Sequence, residues 1–341
     1  MSLENVHEEV PAEHGPAALR NVDHRVGGIS TRTPNVVAFK FGGSSLLGAE
    51  RMLHAAGLVR SAAVISNVTV IVSAMKGVTD HLLSIAHALA DGNLAYARRK
   101  VEDLLTLHFE VLRNLQLEEE DDLRIRRELK LLGGDLVHEV PAEGRLVPSA
   151  ERFDRLASFG ERLSARLFAA ALEKSGVTAV PVASSEFVVT CENFRDAQPH
   201  LEQTRQRGRA VLLPLLEDGI VPVVTGFIGA TSDGRITTLG RNSSDFSGAI
   251  IAHVVDAEEL VIWTDVDGIY TANPNESAEA RLLHELSYDE AHALAAGGAR
   301  VLHAKVLPLA AETEMVVWVR NTFNPQARGT RIGPVQQEEL A

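Results

Sequence analysis

The chain has 341 residues, 45% of them hydrophobic and 23% charged, an ordinary balance for a globular protein of one or two domains. Its formal charge of −13 argues against work on nucleic acid or an anionic membrane, because neutralising phosphates needs a basic face. A single cysteine, Cys191, excludes an internal disulfide framework and a Cys-rich zinc site, and suits a reducing cytoplasm. Cys191 itself reads as a small structural hydrophobe. No apolar run reaches the roughly 18 residues that span a bilayer, and the N-terminal stretch lacks the apolar core of a secretory signal. A cytoplasmic protein is expected.

Residues 1–34, rich in Glu, His, Pro and Gly without a sustained period, read as a mobile extension. Val36 to Phe41 is an apolar, β-branched run ended by Gly42-Gly43, and Leu46 to Ser61 carries apolar residues at helical spacing, giving strand, glycine turn, helix. A second unit follows: strand Val68 to Ala74, loop Met75 to Thr79, helix His81 to Ala90. From Asn93 to Gly176 the composition is helical, with Glu118 to Asp122 as a solvated linker or helix start. Strands are expected at Val177 to Ala183, Phe187 to Thr190 and Val221 to Ile228, with a helix from Leu201 to Asp218 between the last two. Beyond the polar stretch after Ile228 the pattern gives helix Ser244 to Val255, strand Leu260 to Thr264, helices Tyr288 to Ala296 and Val306 to Glu312, and strand Val316 to Arg320. This alternation predicts an α/β fold, a three-layer αβα sandwich on a mainly parallel open sheet, forming one domain with two lobes.

In such sheets ligands sit beyond the carboxyl ends of the strands, where the polar motifs of this chain fall. Gly42 and Gly43 follow a strand and precede a helix, so their N–H groups can approach phosphate oxygens, and Lys40 adds a point charge. The spacing is neither a Walker loop nor a G-x-G-x-x-G fingerprint. Phosphoryl transfer rests on positioning and on cancelling charge from both sides. The turn from Gly240 to Asp245 can supply the second side, with Arg241 as a planar fork for a carboxylate and Ser244 at the following helix start. Asp245 either caps that helix or holds Lys40 in place. Thr264 and Asp265 end an apolar strand, as a turn former before Asp267-Gly268 or as nucleotide contacts. Glu161, at the head of an apolar helix, fits equally a favourable helix-dipole interaction and a buried carboxylate facing an ammonium group. The histidines lack H-x-x-x-H or H-E-x-x-H spacing, which argues against a transition metal held by the protein.

Seven blocks, in order, resemble the catalytic region of the aspartokinases, in the amino-acid kinase superfamily. They are K-F-G-G-S-S at Lys40 to Ser45, V-S-A-M-K-G-V-T at Val72 to Thr79, S-F-G-E at Ser158 to Glu161, T-L-G-R-N-S-S-D at Thr238 to Asp245, W-T-D-V-D-G-I-Y-T at Trp263 to Thr271, G-A-R-V-L-H at Gly298 to His303, and N-T-F-N-P ending in G-T at Asn321 to Thr330. The resemblance covers about Val36 to Ile332, with residues 35–225 as the aspartate lobe, 226–333 as the nucleotide lobe and 334–341 as a tail. It implies transfer of the ATP γ-phosphate to the side-chain carboxylate of L-aspartate, giving 4-phospho-L-aspartate at the entry to lysine, threonine and methionine synthesis. It also implies Mg²⁺ carried by ATP rather than by protein side chains. By matched position, Lys40 contacts the transferring phosphoryl group and Asp245 organises the site. Ser73, Thr79, Glu161, Arg241 and Ser244 hold aspartate, with Glu161 toward the ammonium and Arg241 toward the α-carboxylate. Gly42, Gly43, Ser44, Thr264, Asp265, Tyr270 and Arg300 line the nucleotide site. A homodimer, or a place within a larger fusion enzyme, is expected from the family.

Some positions depart from the family's pattern. Asn275 replaces an arginine expected near the ATP phosphates, Arg300 stands where lysine is usual, Ala304 where proline is usual, and Ser243 replaces a common glycine. Weaker ATP affinity is the expectation, measured by nucleotide titration. Only about ten residues follow Arg331, against the roughly 50 of a small domain, so neither regulatory ACT domains nor their feedback inhibition are expected within this chain.

Overall fold

A computed structural model describes residues 35–143, 149–241, 243–272, 277, 279–296, 302–303 and 305–334. The expected N-terminal extension, the tail after residue 334, Asn275, Arg300 and Ala304 lie outside the described residues. In chain order the helices are α1 (Ala49–Ala63), α2 (Val78–Ala90), α3 (Leu94–Leu115), α4 (Glu119–His138), α5 (Ala150–Ala157), α6 (Phe159–Lys174), α7 (Leu201–Glu217), α8 (Ser244–Val254), α9 (Tyr288–Ala296) and α10 (Val306–Glu312). The strands are β1 (Val36–Phe41), β2 (Asn67–Val72), β3 (Ala179–Val182), β4 (Val221–Thr225), β5 (Ile228–Ala230), β6 (Ile236–Thr238), β7 (Glu259–Thr264), β8 (Ile269–Tyr270), β9 (Leu282–Leu283), β10 (Glu285–Leu286), β11 (Val316–Asn321) and β12 (Thr330–Ile332).

Eight of these strands form one sheet in the order β10-β12-β11-β7-β1-β2-β4-β3. From β11 to β3 every pairing is parallel, while β12 runs antiparallel to β11 and β10 pairs parallel with β12, so these two edge strands run against the rest. Parallel strands must be covered on both faces, and β1 shows how: Phe39 and Phe41 point into a core built with α1, α3, α4 and α6, while Ala38 points into a second core with α7, α8 and α10. Lys40 shares the face of Ala38 because successive side chains alternate. Trp263 of β7, 2% exposed, stacks on Phe41 with ring centroids 6.2 Å apart. The three-layer αβα sandwich and its mainly parallel sheet are therefore as the alternation of elements implied. The acidic run before Asp122 is the first turn of α4, where carboxylates favour the helix dipole.

Two expected strands differ. Phe187 to Thr190 follows a 3₁₀ turn and makes only isolated bridges, Val189 to Ala230 and Thr190 to Pro199. The Val189 N–H donates instead to the Thr204 hydroxyl at 3.1 Å, so no ladder can extend. The run from Val221 to Ile228 breaks after Gly226, whose N–H still donates to the Val72 carbonyl at 2.8 Å, because Phe227 takes a positive φ of 66°. Beyond that break, β5 and β6 form a separate hairpin, so part of the polar stretch after Ile228 is strand.

His108 on α3 is fully buried, with Nδ1 2.7 Å from the Leu104 carbonyl oxygen and no partner on Nε2. Burial lowers its pKa from 6.5 to about 4. A depressed histidine contributes stability above pH 6.5 that is lost as pH falls toward 4. The loss is about 3 kcal/mol at about 1.4 kcal/mol per unit. Urea titrations of wild type and His108→Leu are expected to diverge as pH falls across that range, the wild type losing stability relative to the variant by about that amount.

Candidate active site

The carboxyl ends of β1, β2 and β7 open into a cleft of about 530 Å³ walled by α2, α5 and the start of α8. Eleven positions marked by sequence converge on it: Lys40, Gly42, Gly43, Ser44, Ser73, Thr79, Glu161, Arg241, Ser244, Asp245 and Asp265. Lys40 and Arg241, 201 positions apart in the chain, share this one cavity. Thr264 and Tyr270 do not line it. The Thr264 hydroxyl donates to Asp265 at 3.4 Å, and Tyr270 pairs with Leu282 in the β8–β9 hairpin.

Packing explains the glycine turn. A Cβ on Gly43 would lie 2.6 Å from the Ala74 carbonyl oxygen and 3.0 Å from the Lys76 nitrogen, so only glycine lets the loops after β1 and β2 touch. The Lys76 N–H donates to the Gly43 carbonyl at 3.0 Å. Behind them α8 crosses β1 with Gly248 against the Lys40 stem, where a Cβ would stand 3.3 Å away. Asp245, one turn earlier on α8, thereby meets the Lys40 ammonium at 2.6 Å. Of the two readings of Asp245, the structure supports the one that holds Lys40. Side-chain exposures of 9% and 17% shield this pair from much of the solvent screening. The approach is ionic rather than a directed hydrogen bond, since Asp245 Oδ1 meets no donor at hydrogen-bonding angles.

Glu161 in the first turn of α6 is 2% exposed. Its Oε1 accepts from the Ala74 N–H at 3.1 Å, and its Oε2 is buried without a partner. Burial pushes its carboxyl up to about 8, against the lowering pull of the Ala74 N–H and the Lys40 charge. A merely dipole-stabilised surface glutamate would be exposed and satisfied; Glu161 is neither. Arg241 behaves differently. It is 80% exposed and pairs with Asp80 in the first turn of α2 at 3.1 Å, a surface bridge worth about 0–1 kcal/mol and easily opened.

Sequence reading missed Asp154 on α5. This carboxylate, 2% exposed, accepts from Arg195 N at 2.8 Å, Thr238 N at 2.9 Å and Thr238 Oγ1 at 2.7 Å. It ties α5 to β6, three residues before Arg241. Burial raises its pKa, while these donors oppose the rise. The available signal was its place seven residues before Glu161, two helical turns along a nearly continuous helix. Lys76 and Phe227 also line the cleft unforeseen.

The chain belongs to the Amino acid kinase family, whose profile matches residues 35–321. Lysine-sensitive aspartokinase 3 of Escherichia coli strain K12 is 33% identical over 298 residues, covering 87% of this chain and 64% of its own length. Aspartokinase 1, chloroplastic, of Arabidopsis thaliana is 33% identical over 336 residues, covering 96% of this chain and 56% of its own. The crystal structure of E. coli aspartokinase III in complex with aspartate and ADP superposes with a TM-score of 0.81 at 31% identity, covering 89% of this chain and 65% of that one. The chain thus spans less than two thirds of the length of these relatives. Among the described residues no helix is long and apolar enough to cross a membrane.

Proposed function

We propose that this chain is the catalytic part of an aspartate kinase, moving the ATP γ-phosphate onto the side-chain carboxylate of L-aspartate to give 4-phospho-L-aspartate. The observation that carries this reading is the buried, unpartnered Oε2 of Glu161 in the same cleft as the Lys40–Asp245 pair and the Arg241 fork. An α-amino acid has the matching charges: ammonium for Glu161, α-carboxylate for Arg241, and a side-chain acid free to face Lys40. The hydroxyls of Ser73, Thr79 and Ser244 add donors along that path. The likeness to a structure containing aspartate and ADP supports the same choice of substrates, and the first step toward lysine, threonine and methionine follows from that product.

In this mechanism the acceptor carboxylate is already ionised at neutral pH, so no general base is needed. The Gly42 N–H is held by the Trp263 carbonyl at 3.1 Å, so the N–H groups of Gly43 and Ser44 cradle phosphate oxygens, and Lys40, aimed by Asp245, offsets charge on the phosphoryl group in flight. Asp265 brings a carboxylate to the cleft, which fits a phosphate substrate that arrives with Mg²⁺ and not a bare polyanion. Bound Mg²⁺ supplies further charge neutralisation on the phosphates. Incubation with MgATP and a panel of acidic amino acids, with hydroxylamine trapping of the acyl phosphate, tests the proposal. Hydroxamate with L-aspartate and not with glutamate supports it, and no product with any acceptor removes it. Arg241→Ala is expected to raise the KM for aspartate about tenfold, or ~1.4 kcal/mol, with kcat little changed. Steady-state kinetics with aspartate varied check this, and an unchanged KM takes Arg241 out of the aspartate pocket.

A further inference from the structure

The charges lining the cleft can be paired off. Lys40 is engaged by Asp245 at 2.6 Å and Arg241 by Asp80 at 3.1 Å. Glu161 is held toward its neutral form by burial, and Asp265 adds a negative charge. The phosphate-facing end therefore has little net positive charge from these groups, although its substrate is a polyphosphate. Phosphoryl transfer needs cations placed before the reaction starts, because reorganising them during it is costly.

Among the described residues, a cation without an acid partner stands at that end. Lys76 lines the cleft, and its ammonium meets no acid or hydrogen-bond acceptor among the described residues. Its backbone is fixed to the turn itself: its N–H donates to the Gly43 carbonyl at 3.0 Å, and its Cα would lie 3.3 Å from a Cβ on Gly43. Arg195, which also lines the cleft, lies near the Asp154 carboxylate and rests its guanidinium 5.1 Å above the Phe153 ring on the α5 wall, and it has no such link to the glycine turn. A lysine at Lys76's place carries a flexible stem able to follow an oxygen that moves during transfer. We propose that Lys76 is a further catalytic residue, its ammonium contacting the terminal phosphate oxygens of the nucleotide beside the Gly42-Gly43 turn. No bond forms or breaks at Lys76, whose part is charge stabilisation only.

This inference rests on the kinase reading, and the experiment separates the two. Lys76→Met and Lys76→Arg are compared with wild type in kcat, in KM for ATP and for aspartate, and in calorimetric affinity for MgADP and for adenosine. Lys76 is exposed, so neither change threatens folding. Lys76→Met is expected to lose roughly 10- to 100-fold in kcat and about tenfold in MgADP affinity, with adenosine affinity and aspartate KM unchanged. Lys76→Arg should recover most of the MgADP affinity. Wild-type turnover and MgADP affinity in Lys76→Met overturn the inference while leaving the kinase reading intact. Weaker adenosine binding in that variant also overturns it, by placing Lys76 at the base instead of the phosphates. A wild type that binds MgADP in a Lys76-dependent way yet phosphorylates no acidic amino acid sinks the kinase reading and upholds the phosphate contact.

Discussion

Lys40→Ala is expected to lower kcat by at least roughly 10²–10³-fold, the cost of removing one preorganised donor from a developing charge. The KM for aspartate should move little, because the amino acid's ammonium and α-carboxylate are held by other groups. The same change leaves Asp245 without its partner at 17% side-chain exposure. Breaking a largely buried pair is destabilising, here by about 2–3 kcal/mol after allowing for partial solvent access. Activity and stability can therefore be separated with a second variant. Lys40→Met with Asp245→Asn removes both charges and should regain most of the stability while remaining inactive. Denaturant melts alongside hydroxamate assays read both quantities. Lys40→Ala activity within threefold of wild type would exclude the proposed role.

Most of the scaffold could be read because its signals are local. Val36 to Phe41 is apolar, β-branched and closed by two glycines, and it is β1 to the residue. Tyr288 to Ala296 and Val306 to Glu312 likewise match α9 and α10. What stayed hidden depended on partners distant in sequence. Phe187 to Thr190 has strand composition, yet the Thr204 hydroxyl takes the N–H that a ladder would need. The break after Gly226 accompanies the positive φ of Phe227, whose N–H is taken by the Ser247 hydroxyl, a contact no local pattern contains. The site divides the same way. Lys40, Gly43 and Arg241 stood out because glycine turns and polar residues beyond strand ends have few purely structural uses. Asp154 did not, since a lone aspartate among Glu151, Arg152 and Arg155 looks like solvated helix surface. Its burial appears only once β6 is seen against α5. Thr264 and Tyr270, marked for the site by motif, stand outside the lining of this cleft.

Aspartate binding is expected to be strongly pH-dependent because of Glu161. With its carboxyl pushed up to about 8 by burial, the ligand-free protein holds Glu161 protonated at neutral pH, whereas an ammonium ligand needs the carboxylate. The apparent dissociation constant should therefore fall about tenfold for each unit of pH raised toward 8 and level off above it. Near pH 7 close to one proton should leave for each aspartate bound, visible as a dependence of the calorimetric heat on the buffer's ionisation enthalpy. The linkage also runs through stability. An acid whose folded pKa is raised contributes stability below its unfolded value of 4.5, lost as pH climbs through 8. Ligand-free protein should weaken across that window, and saturating aspartate should oppose the decline. Glu161→Gln keeps the shape but cannot ionise, so it should flatten the pH profile, abolish proton release and bind aspartate about 10²-fold more weakly at pH 8, the scale of losing a charge-assisted contact. A wild-type affinity that stays constant from pH 6 to 8, with no buffer-dependent heat, would mean that Glu161 is ionised before the ligand arrives or never meets its ammonium.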